Sequence, residues 1–222
     1  MRLHEAKRDL YRKLAKEQGY KSRAAFKLIQ ATRKYHFIAP DDLVVDFGAA
    51  PGGWMQVAAE LVGEDGFVVG VDLHEIRLRG RNLKTLLMDV HNPEIKQKVL
   101  DALGGRLADV VLSDLAPSVS GVWELDQGRQ VDLTLRVLDL SESVLRRGGS
   151  GFFKLFEGER SQEVRAEFKK CFAVVRTIKP AASRNVSSEL YYYCEGWNPG
   201  QRVSSVEPLP STESSAGLLP SS

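Results

Sequence analysis

Cysteine, histidine and long apolar runs are all scarce in this sequence, and each scarcity excludes a class of protein. The 222 residues include only two cysteines, Cys171 and Cys194, and four scattered histidines. Their spacing matches no zinc-binding pattern, so we expect no metal site and two reduced core thiols. No apolar run approaches the ~20 residues that cross a bilayer, and the first residues lack the apolar stretch of a signal peptide. We therefore expect a soluble, cytoplasmic protein without a membrane partner.

The net charge of +2 hides a basic amino-terminal segment. Residues 1–36 contain eleven Lys and Arg but only three acids, Glu5, Asp9 and Glu17. An excess of this size is the electrostatic footprint of a protein that binds a polyanion. A charge run taken alone is more often a solvated helix face, so nucleic acid becomes the better interpretation only if a catalytic site agrees with it.

Hydrophobic patterning predicts a helical segment followed by alternating strands and helices. Residues 4–36 predict helix interrupted near Gly19, and apolar runs predict strands at 43–47, 67–72, 85–89, 109–114, 151–156, 172–178 and 190–194. Helices are predicted between them at 53–62, 93–103, 127–147 and 161–170. This alternation predicts an α/β fold, with a mostly parallel seven-stranded sheet and helices on both faces.

The composition also predicts three parts along the chain. A basic helical segment at 1–36 packs on the core, the main domain covers 37–200, and a Ser/Pro-rich tail at 201–222 is disordered. The length allows one sizeable core rather than two full domains.

The stretch VVDFGAAPGGW, residues 44–54, reads as a strand, a glycine-rich turn and the start of a helix. Glycine lets a backbone approach a ligand closely. A dinucleotide-binding G-x-G-x-x-G turn would need glycine at position 50, where the chain has Ala50 followed by Pro51. A pyrophosphate site, and with it a nicotinamide oxidoreductase, is therefore poorly supported. S-adenosylmethionine is a ligand that needs close backbone contact without a phosphate.

Four predicted strands end in or just before an aspartate: Asp46, Asp72, Asp89 and Asp114. One such residue is commonly a turn or helix-cap residue. Four beside a glycine-rich turn favour a cofactor site, because ligands of parallel sheets bind at the carboxyl ends of the strands. We expect Asp72 to accept from ribose hydroxyls, Asp89 from an adenine amino group, and Asp114 to face the sulfonium and its methyl.

Lys154 lies in the apolar run GFFKLF, residues 151–156. Lysine is rarely buried without a partner, so this position needs an explanation. Taken alone, a lysine that extends to solvent at a strand end is the commoner case.

Five separated motifs carry a family resemblance: KSRAAFKL (21–28), VDFGAAPGGW (45–54), SDLAPSVSG (113–121), FFKLFEGE (152–159) and KPAASRNVSSELYYYC (179–194). Together they resemble the RrmJ/FtsJ family of RNA ribose 2′-O-methyltransferases, and most closely its branch that acts on uridine in large-subunit ribosomal RNA. The resemblance runs from about residue 8 to residue 197 in the same order. Ala25 departs from it, where a bulkier aromatic is frequent in the family.

The resemblance implies a Rossmann-like fold that uses S-adenosylmethionine. Matched motif by motif, the family's catalytic set falls on Lys27, Asp114, Lys154 and Glu189, with Lys154 as general base. The family's cofactor contacts fall on Gly52, Trp54, Asp72, Asp89 and Asp114. The implied partner is 23S rRNA within the large ribosomal subunit, bound by a monomer.

This chemistry explains a lysine among apolar neighbours. A ribose hydroxyl attacks a methyl group only if it is positioned in line and loses its proton. A lysine accepts that proton only when it is neutral, which the apolar run and a nearby Lys27 would favour. Pairing with Asp114 would oppose this while aiming the amine, and Glu189 would fix Lys27 or a ribose hydroxyl.

We expect the RNA to be held through its phosphates by basic residues of the amino-terminal segment and one across the cleft: Arg8, Arg12, Lys13, Lys16, Lys21, Arg23 and Arg184. Several alternatives stay open at this point. They are a 2′-O-methyltransferase of a tRNA anticodon loop or an mRNA cap, a base-nitrogen methyltransferase, and a non-catalytic ribosome-assembly factor.

Overall fold

The structure, a computed structural model, describes the backbone of residues 3–180, 182 and 188–201 and the side chains of residues 10–180, 182 and 188–200. Two helices come first, α1 (Leu3–Glu17) and α2 (Ala25–Tyr35). The alternating part then runs β1 (Leu43–Phe47), α3 (Gly53–Val62), β2 (Phe67–Asp72), β3 (Leu83–Leu87), α4 (Ile95–Ala102), β4 (Ala108–Ser113), α5 (Trp123–Val144), β5 (Leu145–Phe156), α6 (Ser161–Cys171), β6 (Phe172–Ile178), β7 (Glu189–Trp197) and a short 3-10 helix (Pro199–Gln201).

The strands form one sheet in the order β3-β2-β1-β4-β5-β7-β6. The first five are parallel to their neighbours, whereas β7 is inserted between β5 and β6 and runs antiparallel to both. The predicted seven-stranded, mostly parallel sheet is therefore confirmed, with one antiparallel insertion. Because β1 pairs in register with β2 and β4, the parallel strands end at the same edge.

Helices cover both faces of this sheet, and alternate strand residues divide between two cores. On β1, Leu43, Val45 and Phe47 belong to the core that α4, α5 and α6 complete. Val44 faces the other way, into the core of α2 and α3. This two-residue period is the ordinary geometry of a strand, and double burial explains why the strands are apolar throughout.

Helix α1 packs on the outer side of α2 through a small separate cluster. Ala15 of α1 and Phe26 of α2 are buried there together with Ala182. Helix α1 therefore contacts α2 through this cluster. No described helix is long and apolar enough to cross a membrane.

Some predicted bounds were wrong. β3 ends two residues before Asp89, because its register with β2 pairs Asp72 with Leu87. α5 begins at Trp123 rather than 127, with Glu124 and Asp126 in its first turn, where acids favour a helix start. β5 begins six residues before 151, directly at the end of α5. The predicted disordered tail lies, from residue 202 on, outside the described residues.

Candidate active site

A cavity opens where the glycine-rich turn after β1 meets the end of β4. It encloses about 210 Å³ and is lined by Ser22, Arg23, Ala24, Lys27, Gly48, Ala49, Ala50, Pro51, Gly53, Trp54 and Asp114. Gly48 adopts φ +81°, and a Cβ there would lie 2.7 Å from the Leu115 backbone nitrogen. Only glycine permits both this conformation and this approach of two backbones. The glycine-rich turn and the loop after β4 therefore approach each other closely, as the sequence predicts for a ligand site.

Lys27 is buried at the base of this cavity with a carboxylate partner from the far end of the chain. Its ammonium lies 2.5 Å from Glu189 Oε1 and donates to the Tyr191 hydroxyl at 2.9 Å. Burial alone would raise the pKa of Glu189, but the positive charges of Lys27 and Lys154 outweigh it and hold that pKa below its usual range. Glu189 is therefore a carboxylate that fixes Lys27, one of the two roles predicted for it.

Lys154 lies beside Asp114, which lines the cavity, and is only 8 % exposed. Its ammonium donates to the Asp114 main-chain carbonyl at 3.2 Å and lies 3.4 Å from Asp114 Oδ1. The predicted pairing of these two residues is thus present in the structure. The 3.4 Å from the Lys154 ammonium to the Asp114 carboxylate is longer than the 2.5 Å from the Lys27 ammonium to Glu189. It also exceeds the range of about 2.7–3.2 Å that is usual for N–H···O hydrogen bonds.

The apolar neighbours of Lys154 divide between the two faces of β5. Phe152 belongs to the α2–α3 core on the side of Lys154, whereas Phe153 and Leu155 belong to the opposite core. Phe156 is on the side of Lys154, with its ring centroid 5.7 Å from the ammonium. The expectation that all four residues surround the amine was wrong, because strand side chains alternate. Phe152 and Phe156 are the two that share its face.

Tyr191 joins the four predicted catalytic residues, and the sequence reasoning missed it. Its hydroxyl accepts from Lys27 and lies 3.1 Å from Asp114 Oδ1 and 3.1 Å from Glu189 Oε1, to either of which it can donate. Burial, together with the charges of Asp114 and Glu189, raises the pKa of Tyr191 well above its usual value. The available signal was its position two residues after Glu189, on the same face of β7.

Asp46 is one of the four strand-end aspartates, and the one to which the sequence assigned no specific contact. It is fully buried on β1, and neither carboxylate oxygen has a hydrogen-bond partner among the described residues. Burial, with Asp114 and Asp72 nearby, raises the pKa of Asp46 well above its usual value. Three acids converging under a glycine-rich turn suit a cationic ligand. S-adenosylmethionine, which carries a sulfonium and an ammonium, fits that requirement.

The other predicted cofactor residues lie around this edge in different settings. Gly52, at φ +110°, immediately precedes α3. Trp54 is buried, lines the cavity with its edge and donates its indole N–H to the Ala24 carbonyl at 2.8 Å. Asp72 accepts from the Ala50 backbone N–H at 2.9 Å and from that of His74 at 2.8 Å, so it braces the turn. Asp89 is exposed two residues beyond β3.

A basic groove joins the cavity at Ser22 and Arg23. It encloses about 510 Å³ and is lined by Arg12, Ala15, Lys16, Tyr20, Lys21, Ser22 and Arg23. Four predicted RNA-binding residues thus line one groove. Lys13 lies outside it and pairs with Glu17 at 3.8 Å. The side chains of Arg8 and Arg184 lie outside the described part of the chain.

Helix α3 anchors the loop that carries this groove. Gln56 accepts from the Lys21 backbone N–H at 2.7 Å and donates to the Gly19 carbonyl at 3.0 Å. Tyr20 donates to Glu60 on the same helix at 2.9 Å. Because α3 begins at the glycine-rich turn, one element positions both the groove and the cavity.

A family model described as FtsJ-like methyltransferase matches residues 20–197. Among named relatives, "Ribosomal RNA large subunit methyltransferase E" of Methanothermobacter thermautotrophicus is 47% identical over 188 residues, covering 84% of this chain and 89% of the relative. The protein of the same name from Nitrosopumilus maritimus is 41% identical over 198 residues, covering 89% and 99%.

Solved structures agree on the fold. A Plasmodium falciparum protein described as a ribosomal RNA methyltransferase superposes with a TM-score of 0.71 at 26% identity, covering 80% of this chain and 98% of that one. Fibrillarin of Aeropyrum pernix, solved with S-adenosyl-L-methionine bound, gives 0.55 at 18% identity, covering 79% and 75%, which supports the fold alone. The family match and these identities confirm the predicted resemblance: the chain belongs to the FtsJ-like methyltransferases and is an enzyme whose cofactor is S-adenosyl-L-methionine.

Proposed function

We propose that the chain methylates a ribose 2′-hydroxyl of RNA, namely a uridine of 23S rRNA in the large ribosomal subunit. The observation that carries the proposal is that Lys27 and Asp114, which line the cavity of the glycine-rich turn, pair with Glu189 and Lys154. Relatives named for large-subunit ribosomal RNA supply the substrate class.

Within the proposed site, Lys154 is the general base and Lys27 a fixed positive charge. Lys27 has two short contacts, with Glu189 and Tyr191, which hold its ammonium in place. Lys154 has longer contacts, both with Asp114, and apolar Phe152 and Phe156 on its face. Of the two lysines, Lys154 is therefore the less tightly held by partners, which makes it the candidate base.

Each residue of the proposed site has its own role in the reaction. Bound cofactor supplies an electrophilic methyl group on a sulfonium. Asp114 aims the Lys154 amine, and a hydroxyl held against that amine would give up its proton to Nζ, which would make its oxygen a nucleophile. Asp72 braces the turn through Ala50, and a cationic ligand bound beside Asp46 would favour the charged form of that carboxyl, whose pKa burial and the neighbouring Asp114 raise. We propose Gly52, Trp54 and Asp89 as further cofactor contacts.

The RNA backbone would lie in the basic groove. Arg12, Lys16, Lys21 and Arg23 line it, so a strand bound there reaches the cavity at Ser22 and Arg23. Contacts of this kind locate a strand without reading its bases.

The proposal includes Lys13, Arg8 and Arg184 as peripheral contacts and the three-part organisation at 1–36, 37–200 and 201–222. It also includes a cytoplasmic, monomeric enzyme.

One experiment tests the assignment. The protein is incubated with labelled S-adenosylmethionine and, in parallel, undermodified large subunits, free 23S rRNA or tRNA, and the methylated ribose is mapped. We expect label on a uridine 2′-oxygen of the subunit or its RNA. Label on tRNA alone, on a base nitrogen or on no RNA would contradict the proposal. Lys154→Arg, which keeps the charge but not a neutral amine, should bind cofactor without turnover.

A further inference from the structure

Two aromatic side chains extend the site beyond the four catalytic residues. Phe156 lies with its ring 5.7 Å from the Lys154 ammonium. Trp123, the first residue of α5, packs against it with ring centroids 5.9 Å apart and an interplanar angle of 33°. We refer to Trp123 and Phe156 as the aromatic wall. Trp123 is 45 % exposed, whereas Trp54 and Trp197 are buried.

Trp123 of the aromatic wall lies in a part of the chain that hydrogen bonds hold in place. Asp126 in the first turn of α5 accepts from the Ser120 backbone N–H at 2.8 Å and from its hydroxyl at 2.7 Å. Val119 and Val122, on either side of Ser120, are largely exposed as well. Large exposed apolar side chains grouped on one anchored loop beside a candidate catalytic group are typical of a binding surface, because their water-facing area brings no stability.

The charges around the wall favour a nucleobase as its occupant. Glu124, Glu157 and Glu159 flank it in the sequence and are exposed, so a phosphate group would be repelled there. The basic groove, which suits phosphates, joins the cavity elsewhere, at Ser22 and Arg23. A base carries no net charge and presents a π face, and unpaired RNA bases are commonly stacked on aromatic side chains.

We propose that the aromatic wall stacks the base of the nucleotide whose 2′-hydroxyl faces Lys154. This inference rests on the proposed function, since it requires an RNA ribose at Lys154. The base lies on Trp123 and Phe156, the ribose on Lys154, and the backbone leaves toward the basic groove. The target nucleotide must therefore be unstacked from its neighbours before it reacts. Stacking also orients the ribose, so the wall contributes to positioning as well as to affinity.

The test compares Trp123→Ala with Trp123→Phe and with Leu107→Ala, a control of equal exposure that precedes β4 at its opposite end. The substrate is an undermodified fragment of 23S rRNA that contains the uridine found to be methylated in the wild-type reaction. A matched fragment is abasic at that position. RNA affinity is measured by anisotropy of labelled RNA, and turnover with labelled S-adenosylmethionine. Quenching of the exposed Trp123 fluorescence gives a third readout in the wild-type protein.

We expect Trp123→Ala to weaken RNA binding by about 5- to 100-fold and to raise KM, with cofactor affinity unchanged. Trp123→Phe should recover most of the loss, Leu107→Ala should show none, and the abasic fragment should bind the wild type and Trp123→Ala equally. Equal binding of intact RNA by wild type and Trp123→Ala would overturn the inference. So would weakened binding only to assembled subunits, which would indicate a protein contact. Quenching without methyl transfer would instead refute the proposed function and leave stacking intact.

Discussion

Replacing Tyr191 by Phe removes one hydroxyl from the centre of the catalytic set and leaves its ring in place. That ring stacks on Phe152 at 4.9 Å, so packing is retained. The hydroxyl accepts from Lys27 and can donate to Asp114 or Glu189, and hydrogen bonds to charged groups are worth about 1.5–3 kcal/mol each. Since Phe also avoids burying a hydroxyl, we expect a net loss of about 2–3 kcal/mol in the free energy of unfolding.

That loss should appear as a lower urea midpoint with an unchanged m-value, and as a Tm lower by about 4–12 °C. Tyr193→Phe is the matched control on the same strand, because its hydroxyl donates to Glu195, in partly buried surroundings, at 3.0 Å. We expect it to cost about 1 kcal/mol. Equal losses in the two variants would refute the view that Tyr191 is the centre of a buried charged network.

The pH dependence gives a second check on Tyr191. Its pKa is raised in the folded state, so the folded protein retains a proton that the unfolded chain releases above about pH 10. Stability of the wild type therefore falls through that range by about 1.4 kcal/mol per pH unit from this group, and Tyr191→Phe lacks the effect. The gap between the two proteins should narrow above pH 10. A gap that stays constant to pH 12 would contradict the raised pKa.

Three further predictions concern the rest of the site. Lys154→Ala should abolish methyl transfer while isothermal titration shows nearly intact cofactor binding; retained turnover would rule out its role as base. Arg12→Glu should weaken RNA binding and reduce its salt dependence more than Lys13→Glu does, because Arg12 lines the groove and Lys13 does not; equal effects would move the RNA off the groove. The wild type should lose stability as the pH rises above about 4, because the raised pKa of Asp46 makes the folded state bind more protons there than the unfolded chain does. Asp46→Asn should lack this loss, and parallel curves of unfolding free energy against pH for the two proteins would contradict the prediction.

Much of the parallel half of the fold could be predicted because its strands are apolar on both sides. β1, β2 and α3 have the predicted bounds, and so does β6, although it is an edge strand paired antiparallel to β7. The beginning of β5 could not be found, since LRRGGSG carries arginines and glycines in place of an apolar run. Nor does the local pattern of LYYYC show that β7 is inserted antiparallel between β5 and β6. That placement depends on pairing with strands distant in sequence.

The residues of the site likewise divide into those that the sequence predicted and those that it did not. The four proposed catalytic positions could be predicted because each lies in a recognisable motif, and the structure brings all four side chains close together. Tyr191 was missed because three successive tyrosines read as core, and only the pairing of Lys154 with Tyr191 across β5 and β7 shows which one faces the lysines. Trp123 was missed because its partner Phe156 is distant in sequence.

The insertion of β7 has a consequence for how the enzyme is made. Lys27 bonds to Tyr191 across 164 positions of sequence, so the buried lysine meets its counter-charge only after nearly the whole domain has emerged from the ribosome. Contacts of such long range form late and slow folding, because the intervening chain must first be ordered. A nascent chain that lacks β7 would have Lys154 on an unpaired edge of the sheet and Lys27 of α2 without its partner Glu189. Catalytic competence would therefore arise in one step with completion of the sheet, and partly folded chains would not methylate RNA prematurely.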